Sequence, residues 1–245
     1  MENTKISLFI VSLTHMNNFN MKKKVYIVTG ANRGLGEAFV DVLIKDKNCL
    51  VISISRRLSE KQKAYSSKQF CFLEIDLAVD SISEKIKALN SLIGNEQIYF
   101  INNASIIEPI VKIEDLDETA IDKTISVNIK SAMLITKYLL KNFNINQLTF
   151  VNISSGAANR PISNWSLYCS SKAFIQMFFN TAESEYKQHR FFNIDPGVID
   201  TEMQKSLRTN DFPDVEKFKE LQKKGQLRAA IDVAEDILKT IQINE

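Results

Sequence analysis

Val25-Tyr-Ile-Val-Thr-Gly30-Ala-Asn-Arg-Gly34-Leu-Gly36 is an apolar run that breaks into glycines and resumes as an apolar-periodic segment. The run reads as a buried strand, the glycines as a tight turn, and the segment from Leu35 as a helix. Leu35, Phe39, Val42 and Leu43 give that helix one apolar face. Three of the chain's seven glycines, Gly30, Gly34 and Gly36, fall within seven positions. Such glycines let the backbone approach a pyrophosphate, and the helix offers it the free amides of its first turn. The same alternation continues outward. Further strands are expected at Cys49 to Ser55, Phe70 to Ile75, Ile98 to Ile101, Leu148 to Ile153 and Phe191 to Asp195. Helical patterns fall at Ser81 to Leu92, Leu116 to Phe143, Asn164 to Tyr186 and Ile231 to Ile241. Strands alternating with helices predict a three-layer, doubly wound α/β fold with a mostly parallel sheet.

Length and composition narrow the class. With 245 residues, 44% hydrophobic and 24% charged, the chain suits one α/β domain, expected over 21–245. A net charge of +2 with scattered basic residues argues against a nucleic-acid partner. The three cysteines, Cys49, Cys71 and Cys169, have no metal spacing and an odd count, so no metal and a reducing, cytoplasmic setting are expected. The two histidines, His15 and His189, lie in no recognisable motif, which disfavours a Ser-His-Asp hydrolase or a His-rich metal site. Residues 1–20 read as a disordered extension or as the product of an upstream start. Their apolar stretch, Ile6 to Leu13, is too short to span a membrane, and no membrane association is expected.

Acid–base chemistry concentrates around Tyr168 and Lys172, four apart and so on one face of a helix. A neighbouring ammonium favours the phenolate, which is expected to bring the tyrosine nearer neutrality. Ser155 follows the strand ending at Ile153, where open α/β sheets place their ligands. An aromatic residue, Trp165, closes the loop between them and is a candidate for lining a substrate site, as is Met203.

Taken together, Thr29-Gly30-x-x-x-Gly34-x-Gly36, Asn102-Asn103-Ala104, Asn128, Ser155, Tyr168-x-x-x-Lys172 and Pro196-Gly197 stand in the order and spacing of the short-chain dehydrogenase/reductase family. The chain resembles that family over roughly residues 21 to 230, and most closely its benzil reductase and sepiapterin reductase members. The resemblance implies a Rossmann fold of six strands. A seventh stays open, since the family places it after the last helix and this sequence stops at Glu245. It implies a catalytic set of Asn128, Ser155, Tyr168 and Lys172, with Tyr168 as proton donor, Ser155 on the carbonyl oxygen and Asn128 holding a water near Lys172. The dinucleotide would be held by Gly30, Asn32, Arg33, Gly34, Leu35, Gly36, Asp76, Leu77, Asn103, Ala104, Tyr168, Lys172, Pro196, Gly197, Val198 and Thr201.

Where an NAD enzyme of this family carries an acidic residue, at the end of the second strand, this chain carries Arg56. Arg56 with Arg33 suits a 2′-phosphate, which makes NADP(H) the expected cofactor. Ser105 stands where the family has glycine. The polar segment 202–226 is expected to form a mobile substrate lid. The expected reaction is NADPH-dependent reduction of a diketone or aromatic ketone. The alternatives are a 3-oxoacyl thioester, a pterin side chain, or NADP binding without turnover. A homodimer or homotetramer is expected, paired through the helices that carry Leu134, Tyr138, Leu139, Phe174, Phe178 and Phe179.

Overall fold

The computed structural model describes residues 24–143 and 148–242. The expected N-terminal extension lies outside the described residues. Six parallel strands form one sheet in the order β3-β2-β1-β4-β5-β6. They are β1 (Lys24–Thr29), β2 (Cys49–Ser55), β3 (Phe70–Glu74), β4 (Gln97–Asn102), β5 (Leu148–Ile153) and β6 (Arg190–Ile194). The order reverses at β1, which pairs with both β2 and β4. That reversal opens a crevice beyond the carboxyl ends of β1 and β4, where ligands bind in open α/β sheets.

Period-two alternation divides the strands between two cores. Val25, Ile27, Ile52, Ile54, Phe100 and Phe150 point to one face. Tyr26, Val28, Val51, Tyr99, Ile101 and Val151 point to the other. Both faces are covered, which is why the strands read as continuous apolar runs. Helices α1 (Gly34–Leu43) and α9 (Ala230–Gln242) pack on the second face. The short helices α2 (Ile82–Lys85) and α3 (Leu89–Leu92), together with α5 (Ser131–Asn142) and α6 (Ser166–Glu185), cover the first. The single helix expected from Ser81 to Leu92 is instead two α turns joined by a 3₁₀ turn at Ile86–Ala88. Its apolar positions Ile82, Ile86 and Leu89 still reach the core, so tertiary packing kept the pattern and not the regular winding.

The long helix expected around Asn128 is continuous from α4 (Glu118–Thr124) through a π-wound stretch, Ile125–Lys130, into α5. Two further helices, α7 (Glu202–Thr209) and α8 (Val215–Lys223), occupy the segment expected as a lid. The apolar surplus expected on the pairing helices is mostly used internally. Leu139 and Phe179 are wholly buried, and Leu134, Tyr138 and Phe178 pack against the same core. Phe174 is 48% exposed and Met177 64%, so these two on α6 remain at the surface.

Candidate active site

The glycine turn fits one close approach. A Cβ on Gly36 would lie 2.2 Å from the Gly30 carbonyl oxygen and 2.5 Å from Asn103 Nδ2, inside van der Waals contact. Gly30 has φ +63°, and a Cβ there would meet Ala104 Cα at 2.9 Å. Leu35 packs in the second core beside them. Thr29 locks the turn to the end of β4. Its hydroxyl oxygen accepts from the amides of Asn103 (3.1 Å) and Ala104 (3.0 Å), while Asn103 Nδ2 donates to the Thr29 carbonyl at 3.0 Å. Thr201 closes the same space from the far side, since a Cβ on Gly34 would sit 3.4 Å from its methyl group. So three stretches far apart in sequence, 29–36, 102–104 and 196–201, meet around one crevice. Gly197 has φ +71° and donates its amide to Asp195 Oδ1 at 3.0 Å, while the Val198 carbonyl accepts from the Arg228 amide at 3.3 Å.

Beyond the turn, Asn32, Arg33, Arg56, Arg57, Ser59 and Lys63 line an open groove of about 570 Å³. Arg33 and Arg56 are both exposed, and neither forms an ion pair among the described residues. Glu60 and Glu74 line the same groove, and Glu60 pairs with Lys63, so Arg33, Arg56 and Arg57 outnumber the remaining carboxylate and leave a positive lining that suits a phosphate. Leu77 is buried in the first core. Asp76 is engaged locally, its Oδ1 accepting from the Ala78 amide at 2.9 Å and its own amide donating to Asp80 Oδ2 at 2.6 Å. Its carboxylate therefore shapes the turn after β3.

The acid–base group stands at the carboxyl end of β5. Tyr168 and Lys172 lie one turn apart on α6, 7% and 5% exposed. The Tyr168 hydroxyl is hydrogen-bonded to Ser155, and Ser155 Oγ also accepts from the Ala157 amide at 3.2 Å. Lys172 Nζ donates to the Ile153 carbonyl at 2.8 Å and lies 5.6 Å from the centre of the Tyr168 ring. Burial sets the proton affinities. It pushes Tyr168 up to about 12, against the pull of the Ser155 hydrogen bond and aided by the negative charge of Asp195. The expectation that Lys172 would bring this phenol toward neutrality is therefore corrected. Lys172 is itself pushed down to about 8 by burial, with Asp195 opposing, and its ammonium is spent on a backbone carbonyl.

Asn128, at the π-wound stretch, uses its whole amide on protein partners. Oδ1 accepts from the Ile106 amide and Nδ2 donates to the Ile106 carbonyl, both at 2.8 Å. Nδ2 also donates to Ser171 Oγ at 3.0 Å, and that hydroxyl donates to the Tyr168 carbonyl. Asn128 thus ties the loop after β4 to the first turns of α6. Ser105, in the family's glycine position, buries an Oγ that meets no partner among the described residues.

Asn102 of the Asn-Asn-Ala motif and polar residues outside the motifs complete the frame. Asn102, Asn152 and Asn193 sit in register on β4, β5 and β6. Asn102 Nδ2 donates to Asn152 Oδ1 at 3.0 Å, Asn152 Nδ2 to Asn193 Oδ1 at 2.7 Å, and Asn193 Nδ2 to Asn180 Oδ1 on α6 at 2.8 Å. Ser154 Oγ donates to Gln176 Oε1 at 2.7 Å. Tyr168, Lys172, Gln176 and Asn180 recur every four residues, a polar stripe that clamps α6 to the strand ends. That spacing is visible in the sequence, but its partners at the ends of β5 and β6 are not. Asp195 was also passed over, although its charge bears on both Tyr168 and Lys172.

Trp165 does not line an open cleft. It is 4% exposed, under α7 and α8, in a cluster with Tyr168, Ile107, Ile110, Leu207 and Phe212. Met203 packs against this cluster. The Trp165 ring meets Tyr168 edge-on at 5.8 Å and stacks on Phe218 at 5.5 Å. Ser206 Oγ on α7 donates to Glu108 Oε1, joining that helix to the loop after β4. Among the described residues there is no cluster that could hold a metal ion, and no helix long and apolar enough to cross a membrane.

The model of the short-chain dehydrogenase family matches residues 24–211. A benzil reductase ((S)-benzoin forming) of Bacillus subtilis is 32% identical over 89% of this chain and 93% of its own length. The sepiapterin reductase of Bos taurus is 29% identical over 88% of each chain. The crystal structure of the KRED1-Pglu enzyme superposes with a TM-score of 0.78 at 30% identity, covering 86% of this chain and 91% of its own. The motif order, the sheet order 3-2-1-4-5-6 and these likenesses agree, and the chain belongs to the short-chain dehydrogenase family, as an oxidoreductase acting on carbonyl and alcohol groups.

Proposed function

We propose that the protein reduces an aryl ketone or aryl 1,2-diketone to the alcohol with NADPH. The observation that carries the reaction class is the buried Ser155–Tyr168–Lys172 group at the carboxyl end of β5, beside a glycine crevice with no room for a side chain at Gly36. The crevice fits a dinucleotide, and the free Arg33 and Arg56 beside it suit a 2′-phosphate. Bound there, the reduced dinucleotide supplies the hydride. Tyr168 donates its hydroxyl proton to the carbonyl oxygen, and Ser155 hydrogen-bonds that oxygen as charge develops. A phenol held near 12 keeps its proton at neutral pH, which suits the reducing direction. Lys172 is a cation beneath the ring, and Asn128 acts as a positioning residue through Ile106 and Ser171. The roles of Asp76 and Leu77 in holding the adenine end, and of Pro196 to Thr201 in holding the nicotinamide, belong to the same proposal.

Two observations favour an aryl substrate. Tyr168 meets Trp165 within a cluster that also holds the rings of Phe212 and Phe218, and a relative is named for benzil, an aryl diketone. The three cysteines are free thiols, which fits a reducing cytoplasmic compartment. We include a homodimer or homotetramer, supported by the exposed Phe174 and Met177 on α6. The test is NADPH consumption over a panel of aryl ketones and diketones, with Tyr168→Phe as control. The variant should keep dinucleotide binding and lose turnover by about 10²–10⁴-fold. Wild-type turnover in that variant overturns the assignment. Dinucleotide binding without turnover of any carbonyl in the wild type would favour a binding protein instead.

A further inference from the structure

Trp165 carries an unexplained polar atom. Its indole Nε1 is buried and meets no acceptor among the described residues, in a residue that is 4% exposed. A buried donor without a partner is costly, and such groups in native proteins generally have a reason. The cluster that holds the ring is apolar: Ile107, Ile110, Leu207 and Phe212, with Phe218 packed against it. The ring also meets Tyr168 of the acid–base group, whose ring centre lies 5.8 Å from that of Trp165 at an interplanar angle of 82°.

The faces of the indole are occupied as a ligand would occupy them. Phe218 stacks on Trp165 at 5.5 Å and 23°, and Phe212 leans on it at 5.6 Å and 49°. Both belong to the α7–α8 region, one in the connecting loop and one in α8. These rings are held by side-chain packing, and α7 is joined to the body by the exposed Ser206–Glu108 hydrogen bond. An entering aryl group can displace Phe218 and take the same stacked position, exchanging one aromatic contact for another at little net cost.

We propose that Trp165 selects substrates with a second carbonyl next to the reacting one: its ring face holds the aryl group and its Nε1–H donates to the neighbouring oxygen. This rests on the carbonyl-reductase reading above. With the reacting oxygen on Ser155 and Tyr168, the oxygen of a vicinal carbonyl lies one carbon further out. The Trp165 ring is the aromatic neighbour that meets Tyr168, edge-on at 5.8 Å. A monoketone of the same shape offers the indole nothing to bind, and leaves the donor as it stands. The discrimination therefore comes from a buried polar group that only one substrate class satisfies, a stronger device than apolar fit.

The experiment compares 1-phenylpropane-1,2-dione with propiophenone and 1-phenylpropan-2-one, the two monoketones of the same skeleton. Trp165→Phe keeps an aromatic face and removes the N–H. We expect its kcat/KM for the dione to fall about tenfold, with both monoketones changed less than about twofold. Equal losses on all three mean that Trp165 only packs, and overturn the proposal, as does an unchanged dione rate. A second measurement needs no variant. Trp165 is the chain's single tryptophan, so the ultraviolet resonance Raman band that reports indole N–H bonding reads this residue alone. In the protein with oxidised NADP, which cannot turn over, the dione should shift that band to its hydrogen-bonded position and propiophenone should not. A band unmoved by bound dione overturns the proposal even if the variant fails to fold. Wild type that reduces none of the three ketones overturns the aryl-ketone reading, and this proposal with it. Wild type that reduces them with no role for Nε1 leaves that reading standing.

Discussion

Replacing Lys172 by methionine should stabilise the free protein while abolishing its turnover. Lys172 is buried and its pKa falls on folding from 10.5 to about 8. That difference corresponds to roughly 3 kcal/mol at about 1.4 kcal/mol per pH unit. A base whose pKa falls on folding gives up its proton more readily in the native state. Between pH 8 and 10.5 the unfolded chain therefore holds more protons, and stability rises with pH. Below pH 8 both states carry the charge, and the whole cost of burying it is present. Methionine keeps the length and removes the charge. It also leaves the Ile153 carbonyl without its 2.8 Å donor, a loss of about 1–2 kcal/mol. The net gain at pH 6–7 is then about 1–2 kcal/mol, or roughly 2–8 °C in Tm for a chain of this size. Melting both proteins without dinucleotide from pH 6 to 9.5 is the assay. The gap should narrow as wild type sheds its proton, and at pH 9.5 it should be near zero or reversed. A gap that stays constant across the range, or a variant that melts lower at pH 6, would show that Lys172 is not a charge held at a cost to the fold.

Arg56→Asp should lower kcat/KM with NADPH by about ten- to hundredfold, as expected for one charge-assisted contact to phosphate; an unchanged NADPH-to-NADH ratio refutes the phosphate clamp. Asn152→Ala breaks the chain of amides in two places, leaving Asn102 Nδ2 and Asn193 Oδ1 unpaired. A stability loss of about 2–3 kcal/mol in urea is expected, and a loss below about 0.5 kcal/mol would mean the ladder is incidental. Light scattering at micromolar concentration should show a dimer or tetramer, and Phe174→Glu should shift it toward monomer; a monomeric wild type ends the assembly proposal.

Much of the fold was legible because its signals are local. Six apolar strands lie within about a residue of their expected bounds, since buried parallel strands are continuous apolar runs whatever their neighbours. The Gly30–Gly36 turn was readable for a similar reason, because only glycine tolerates a 2.2 Å approach between a would-be Cβ and a carbonyl oxygen. Tyr168, Lys172 and Ser155 were found by residue type and spacing, which reflect chemistry done at fixed distances. What the sequence did not contain was the outcome of competition between distant groups. Spacing placed an ammonium beside a phenol, but whether charge or burial governs the phenol depends on how much water the fold excludes, and burial prevails. The apolar surplus on α5 and α6 had two possible uses, and packing turned Leu139 and Phe179 inward while leaving Phe174 and Met177 outside. Asn102, Asn152 and Asn193 are 50 and 41 residues apart, so nothing local announces a ladder that strand register alone creates. The position of Trp165 likewise needed α7 and α8 to be in place above it. Sequence by itself determined which residues could do the chemistry; the tertiary structure decided which were buried, and with that their charge, their partners and the ring that covers them.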